Sequence, residues 1–350
     1  MSVSSYQPLD EALDRLAGYG SELDNGNFNH APMVAEALCA LGRPQAVLPW
    51  IERYRRRIVP RAAAGEPICA ERWRDELGRR ERFAAWGAFF DAALREADWR
   101  DLLRLWVSRL APGVSAAATH GAIRVGHAVR ALGVAESPQR RRELADALAS
   151  WAASYSELPT AGGRENGALA PRKAIARVAI VPPERRRRGN IVAALQALSD
   201  TPDFAPVIGL ADLDGEFDSL LAELTELFAR VYLANVRDTL TAIVFIHGVT
   251  SLSALGHIAA NLDDPAARRL LRYGWQAGCG LLACFGGGNA FAREVAAEPQ
   301  DPDALVERAL AHGDEHVIKF TEACFARHKT APSPAYAAAV ANVLRMIPAR

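Results

Sequence analysis

From Thr239 to Leu262 the chain carries no formally charged residue, a run long enough to span a bilayer as a helix. Such a segment must be surrounded, either by lipid or by other parts of the same chain. Its composition decides between them. His247, Thr250, Ser251, Ser253, His257 and Asn261 interrupt the apolar residues, and neither basic clusters nor aromatic belts flank the run. The expectation is a helix, straight or broken, at the centre of a helical bundle in a soluble, cytoplasmic protein with no membrane partner.

The rest of the chain supplies what could surround it. Half of the 350 residues are apolar, and the supply of Ala, Leu and Arg over Ile and Thr favours helix over sheet. Lys+Arg and Asp+Glu both number 41, so no charge excess directs the chain to nucleic acid or an anionic surface. Proline, glycine and short polar residues punctuate predicted helices at 8–18, 30–42, 44–57, 79–96, 99–110, 115–132 and 138–155, then at 190–199, 214–233, 236–261, 264–284, 302–312, 314–328 and 334–347. Asn29, Ser137 and Asp314 are expected N-caps, and Gly42, Gly133 and Gly313 expected stops. Residues 158–190 break the pattern. They hold a Gly-rich loop, an ARVAIV segment that suits a short strand or extended chain, and a basic run from Arg185 to Arg188 read as a solvated face. The whole, 1–350, reads as a single all-α domain, a multi-helix bundle, with a loop-rich insertion at about 158–190.

The N-terminus is acidic and has no apolar core segment, unlike a signal peptide. Cys39, Cys69, Cys279, Cys284 and Cys324 form an odd set without a CxxC pair, which suits buried thiols in an intracellular protein. The Gly286–Gly288 triplet does not follow a predicted strand, so no dinucleotide fingerprint indicates a tightly held flavin or nicotinamide.

The histidines carry the chemical signal. His30, His120, His247 and His316 each lie in a mainly apolar segment, and each comes from a separate predicted helix. Metal sites inside helical bundles are built by side chains converging in this way, and imidazole suits iron, zinc, copper or nickel. The alternative for each is a hydrogen-bonded core residue. His127 sits two turns beyond His120, too far along the helix to share one ion easily. His312 and His316 have the i, i+4 spacing of zinc helices, but Gly313 and Asp314 are expected to place them on different helices. His328, between Arg327 and Lys329, is expected to be exposed.

Lys319 follows His316 by one turn, on a stripe with Phe320 and Ala323 that looks core-facing. A buried ammonium beside a divalent cation is doubly unfavourable, so the amine is driven toward its neutral form. A neutral amine can add carbon dioxide to give a carbamate, an anionic oxygen ligand. Otherwise Lys319 would snorkel to solvent or pair with Glu315 or Glu322.

Four stretches, NFNHAPMVAEALCALG, THGAIRVGHAVRAL, FIHGVTSLSAL and GDEHVIKFTEA, together resemble the questin oxidase-like family, in order and over most of the chain. The resemblance implies a mostly helical oxygenase that opens a quinone ring of a polycyclic aromatic polyketide, such as an anthraquinone, by oxidative, Baeyer–Villiger-like C–C cleavage. It also implies a non-haem Fe(2+) in the bundle core, held by His30, His120, His247 and His316 with Lys319 as the carboxylated lysine. Dioxygen and a small aromatic molecule would be the substrates, and NADPH or a partner protein the external reductant. In the second stretch the family tends to carry another His followed by Leu-Gly-Tyr. Here Arg124, Val125, Gly126 and His127 stand instead, which implies a different substrate-facing side on this helix. Two rival functions share the residues: a metal-dependent hydrolase using the same histidines, and a non-catalytic helical ligand-binding protein.

Overall fold

The computed structural model describes residues 3–161, 167–187, 189–295 and 300–350; residues 162–166 and Arg188 of the expected insertion lie outside them. The fold is all-α and built of many helices, and the described residues contain one sheet, of two strands. Packing divides the chain into two compact units. One comprises Met1–Ser156 with His257–Asp263, the other Glu157–Gly256 with Asp264–Arg350.

The first unit holds α1 (Gln7–Leu16), β1 (Tyr19–Leu23), α2 (Ala31–Ala40), α3 (Val47–Tyr54), β2 (Ile58–Pro60), α4 (Phe83–Glu96), α5 (Trp99–Leu110), α6 (His120–Val134) and α7 (Pro138–Ala153). α7 packs along α4 and α6, and α2 packs against α1, α3 and α6. β1 and β2 pair antiparallel, Tyr19 opposite Pro60 and Leu23 opposite Ile58, with an irregularity between. Trp73, Trp86 and Phe90 each meet Trp106 edge to face, with the Phe90 and Trp106 centroids 4.8 Å apart. Ser137 caps α7 by accepting the Arg140 N–H, with Pro138 in the first turn as the sequence predicts.

The second unit holds α8 (Pro171–Ile175), α9 (Ile191–Gln196), α10 (Phe217–Asn235), α11 (Thr239–Ala259) up to Gly256, α12 (Asp264–Phe285), α13 (Pro302–His312), α14 (Glu315–His328) and α15 (Pro334–Met346). α15 packs against α10, α13 and α14, and α12 against α10. The uncharged run forms the single helix α11, which is long and apolar enough to cross a membrane, and 83% of its most apolar window is buried in protein. The ARVAIV segment forms no strand: Ala176 and Arg177 are the turn that closes α8, and the irregular stretch beyond is tied where the Val181 N–H donates to Ala283 O (2.8 Å).

One helix start differs from expectation. The chain from Ser115 does not enter α6 directly; Ala117, Ala118 and Thr119 take φ of 48°, 55° and 71°, and the helix begins at His120. The Gly113 carbonyl accepts both the Ala116 N–H (3.0 Å) and Trp151 Nε1–H (2.8 Å), so the preceding turn is tied to α7 as well as closed by its own backbone. Left-handed backbone costs non-glycine residues roughly 1–2 kcal/mol each. Strain of this kind persists only where the surroundings over-determine it, and it concentrates at functional sites.

Candidate metal centre

In the first unit, His30 and His120 are neighbours, with ring centroids 4.6 Å apart. His30 closes the loop before α2. Asn29 Oδ1 accepts the Ala31 N–H (2.9 Å), and the Asn29 amide donates to Gly20 O (2.9 Å), tying the start of α2 to β1. The His30 N–H donates to Tyr54 Oη on α3 (3.2 Å), and Phe28 stacks on His120 at 5.0 Å. Both imidazoles are buried.

The left-handed turn turns the Ala117 carbonyl toward the ring that follows it. His120 Nδ1 lies 2.5 Å from Ala117 O. A carbonyl only accepts, so Nδ1 carries the proton and the ring's lone pair lies on Nε2, as a metal-binding imidazole requires. In the same turn, the buried Ser115 and Thr119 hydroxyls have no hydrogen-bond partner among the described residues. A buried hydroxyl left so is costly, which suits a site that takes a polar ligand.

In the second unit, His247 on α11 and His316 on α14 have ring centroids 6.3 Å apart. His247 Nδ1–H donates to Ile243 O (2.6 Å), one helical turn back. His316 Nδ1 faces the Asp314 carboxylate (3.2 Å), which also caps α14 by accepting the His316 N–H (2.9 Å). Each arrangement again leaves the lone pair on Nε2. Burial, reinforced by the charges of His316 and Lys319, pushes the His247 imidazole down to about 3, so it stays neutral.

Lys319 is buried on the stripe with Phe320 and Ala323, and it makes no hydrogen bond or ion pair among the described residues. It does not snorkel. Glu315 is bound by Arg350 at 2.6 and 2.8 Å. Burial pushes the lysine down to about 8, while the Glu315 and Asp314 carboxylates oppose the shift. Burial would also raise the Asp314 carboxyl, but the His316 hydrogen bond and the charges of His316 and Arg350 outweigh it and hold that group below its ordinary value.

The remaining histidines serve other partners. His312 ends α13, with Gly313 left-handed (φ 78°) beyond it, so His312 and His316 lie on different helices; His312 Nε2–H donates to Ile347 O (2.9 Å). His328 is half-buried rather than exposed, with Nδ1 3.2–3.3 Å from the Ser333 backbone, because the turn into α15 folds over it. His127 Nδ1–H donates to Glu36 Oε2 (2.6 Å), in a buried network where Arg130 Nε and Tyr6 Oη both donate to Glu36 Oε1 (2.7 Å each). Sequence reasoning passed over Glu36, although a lone carboxylate inside PMVAEALCA was a visible signal. Arg124, at the position where the resemblance departs, is occupied by α7: Nε and Nη2 donate to Glu143 at 2.7 and 2.8 Å, and Nη1 to Ser150 Oγ at 3.0 Å.

His120, His247 and His316 thus commit Nδ1 to an acceptor, burial keeps His247 neutral, and a buried amine follows His316 by one turn; imidazole donors of this kind suit a borderline divalent metal. No curated protein matches the chain. A family model for questin oxidase-like proteins does, over residues 28–324, a span that takes in all four histidines and Lys319. The chain therefore belongs to the questin oxidase-like family.

Proposed function

We propose that this protein is a non-haem iron-dependent oxygenase that cleaves a C–C bond beside a carbonyl of a polycyclic aromatic, such as an anthraquinone, in a Baeyer–Villiger-like reaction. Family membership suggests an oxygenase-type enzyme acting on polyketide aromatics. The observation that carries the finer reading is the donor set. His120, His247 and His316 each commit Nδ1 to an acceptor in the turn before their own helix, within it or at its cap, and the buried Lys319 ammonium has no carboxylate hydrogen-bonded to it among the described residues.

By this reading His30, His120, His247, His316 and Lys319 hold one Fe(2+). Bound iron supplies electron transfer to dioxygen and Lewis acidity toward a substrate oxygen. The protein's residues do the rest. Ala117 O, Ile243 O and Asp314 hold the imidazole protons on Nδ1, and Phe28 covers the His120 ring. Lys319, as its neutral amine, adds carbon dioxide and loses a proton to become a carbamate. Four neutral imidazoles and that single negative charge would leave the ferrous site with one positive charge, which a substrate phenolate balances. The Ser115 and Thr119 hydroxyls are suited to a quinone or phenol oxygen. In the overall balance, one oxygen atom of O2 enters the C–C bond and the other leaves as water. NADPH and a proton supply the two electrons and two protons required.

The test is iron content by elemental analysis together with oxygen uptake on anthraquinone-type substrates, with NADPH, under air and under argon. Stoichiometric iron and oxygen-dependent ring opening, both lost in His120→Ala and His247→Ala, are expected. A protein that takes up no iron, or turns over equally under argon, overturns the proposal.

A further inference from the structure

The Asp314 carboxylate that faces His316 is itself held from outside α13 and α14. The C-terminal segment turns back onto the junction of these two helices. The Arg350 N–H donates to His312 O (2.9 Å), and Ile347 O accepts from His312 Nε2. Arg350 Nε lies 3.0 Å from Asp314 Oδ2, and Nη1 bonds both oxygens of Glu315. Asp314 and Glu315 are 1% and 3% exposed, so two buried carboxylates share one guanidinium.

Gly313 makes the approach possible. Its φ of 78° suits glycine, and a Cβ there would lie 2.9 Å from Arg350 O. The glycine of GDEHVIK thus ends α13 and also admits the returning chain.

The junction could behave differently without this guanidinium. One ligand atom from each of Asp314, Glu315 and His316 lies within 4.8 Å of the others, close enough to gather around a cation of their own. With Arg350 seated there, Asp314 Oδ2 and both Glu315 oxygens face a fixed positive charge, and Asp314 Oδ1 remains for the His316 backbone and ring N–H groups.

We propose that Arg350 is a positioning residue for His316. It keeps Asp314 as the acceptor that sets the ring's tautomer and direction, and it keeps the Asp314–Glu315 pair from drawing His316 toward a second cation. The inference rests on the assignment of His316 as an iron ligand, and the experiment separates the two ideas.

The full chain and its Arg350→Ala and Arg350→Lys variants are prepared metal-free. The His316 tautomer is read by NMR on 15N-histidine-labelled protein, and Co(2+) binding, as a spectroscopic stand-in for Fe(2+), is measured by titration. Expected for Arg350→Ala are a mixed His316 tautomer in the metal-free protein and about 10–100-fold weaker cobalt binding, the range for loss of an outer-shell partner. A second, weaker cobalt equivalent is also expected. Arg350→Lys keeps the charge but loses the fork, so it should fall between, and it serves in place of Arg350→Ala if that variant does not fold. An unchanged Nδ1–H tautomer in both variants overturns the positioning role whether or not metal binds. If the tautomer shifts while the unmodified protein binds no cobalt, the ligand assignment fails and the positioning of His316 stands. If the tautomer shifts and cobalt affinity is unchanged, the claim that this positioning serves metal binding is overturned.

Discussion

Replacing Arg124 with Met tests whether the residue at the family departure serves the substrate or the fold. Arg124 and Glu143 are 3% and 8% exposed, and the guanidinium meets the carboxylate through two parallel bonds of 2.7 and 2.8 Å. Removing one partner strands a buried charge, at a cost of roughly 3–5 kcal/mol. At roughly 2–4 °C per kcal/mol for a unit of this size, the expected fall in Tm is about 6–20 °C. The double variant Arg124→Met/Glu143→Leu removes both charges and should return to within about 1 kcal/mol of the original protein. The pH dependence has a definite sign. Burial already raises the Glu143 carboxyl above its ordinary value even against the pull of Arg124, and losing Arg124 raises it further. A folded-state pKa above the unfolded one means that the folded protein binds more protons. The deficit of Arg124→Met is therefore larger at pH 7 than at pH 5 and narrows as pH falls toward the ordinary glutamate range. Thermal melts followed by circular dichroism at pH 7 and pH 5, with the double variant alongside, measure all three effects. An Arg124→Met protein with an unchanged Tm but an altered KM would refute the argument and make Arg124 a substrate contact.

Two further outcomes follow from buried groups. Lys319→Met should stabilise the metal-free protein at pH 7 by up to about 3 kcal/mol, because a lysine held at about 8 in the fold is penalised while charged; the penalty is present below pH 8 and disappears as pH rises toward 10.5. The same change should abolish iron binding, so a melt and an elemental analysis on one sample check both halves. Gly121→Ala should destabilise by about 1–3 kcal/mol, since its Cβ would lie 2.7 Å from Trp151 Cα and 2.9 Å from Trp151 Cβ, pushing α6 from α7 and moving His120 with it. Urea denaturation reads the loss, and an unchanged midpoint would show that the helices can part without cost.

The sequence by itself determined most of the helices and several of their ends. The local signals work over three or four residues: Ser137 and Asp314 bond the N–H groups of the next turn, Pro138 enters at the first position, and Gly313 takes the left-handed conformation. It also supplied the candidate set, because histidines inside apolar segments are visible without coordinates. Only the tertiary structure decided what surrounds those residues. The turn before His120 reads locally as an alanine-rich helix, yet it is tied through Gly113 O to Trp151 on α7, and three of its residues are left-handed. Arg124 is paired across 19 positions, Arg130 with Glu36 across 94, and Arg350 with Glu315 across 35. Such partners are chosen by which helix faces pack together. Local propensity contains no information on that choice, and the side chains that orient the candidate ligands depend on it.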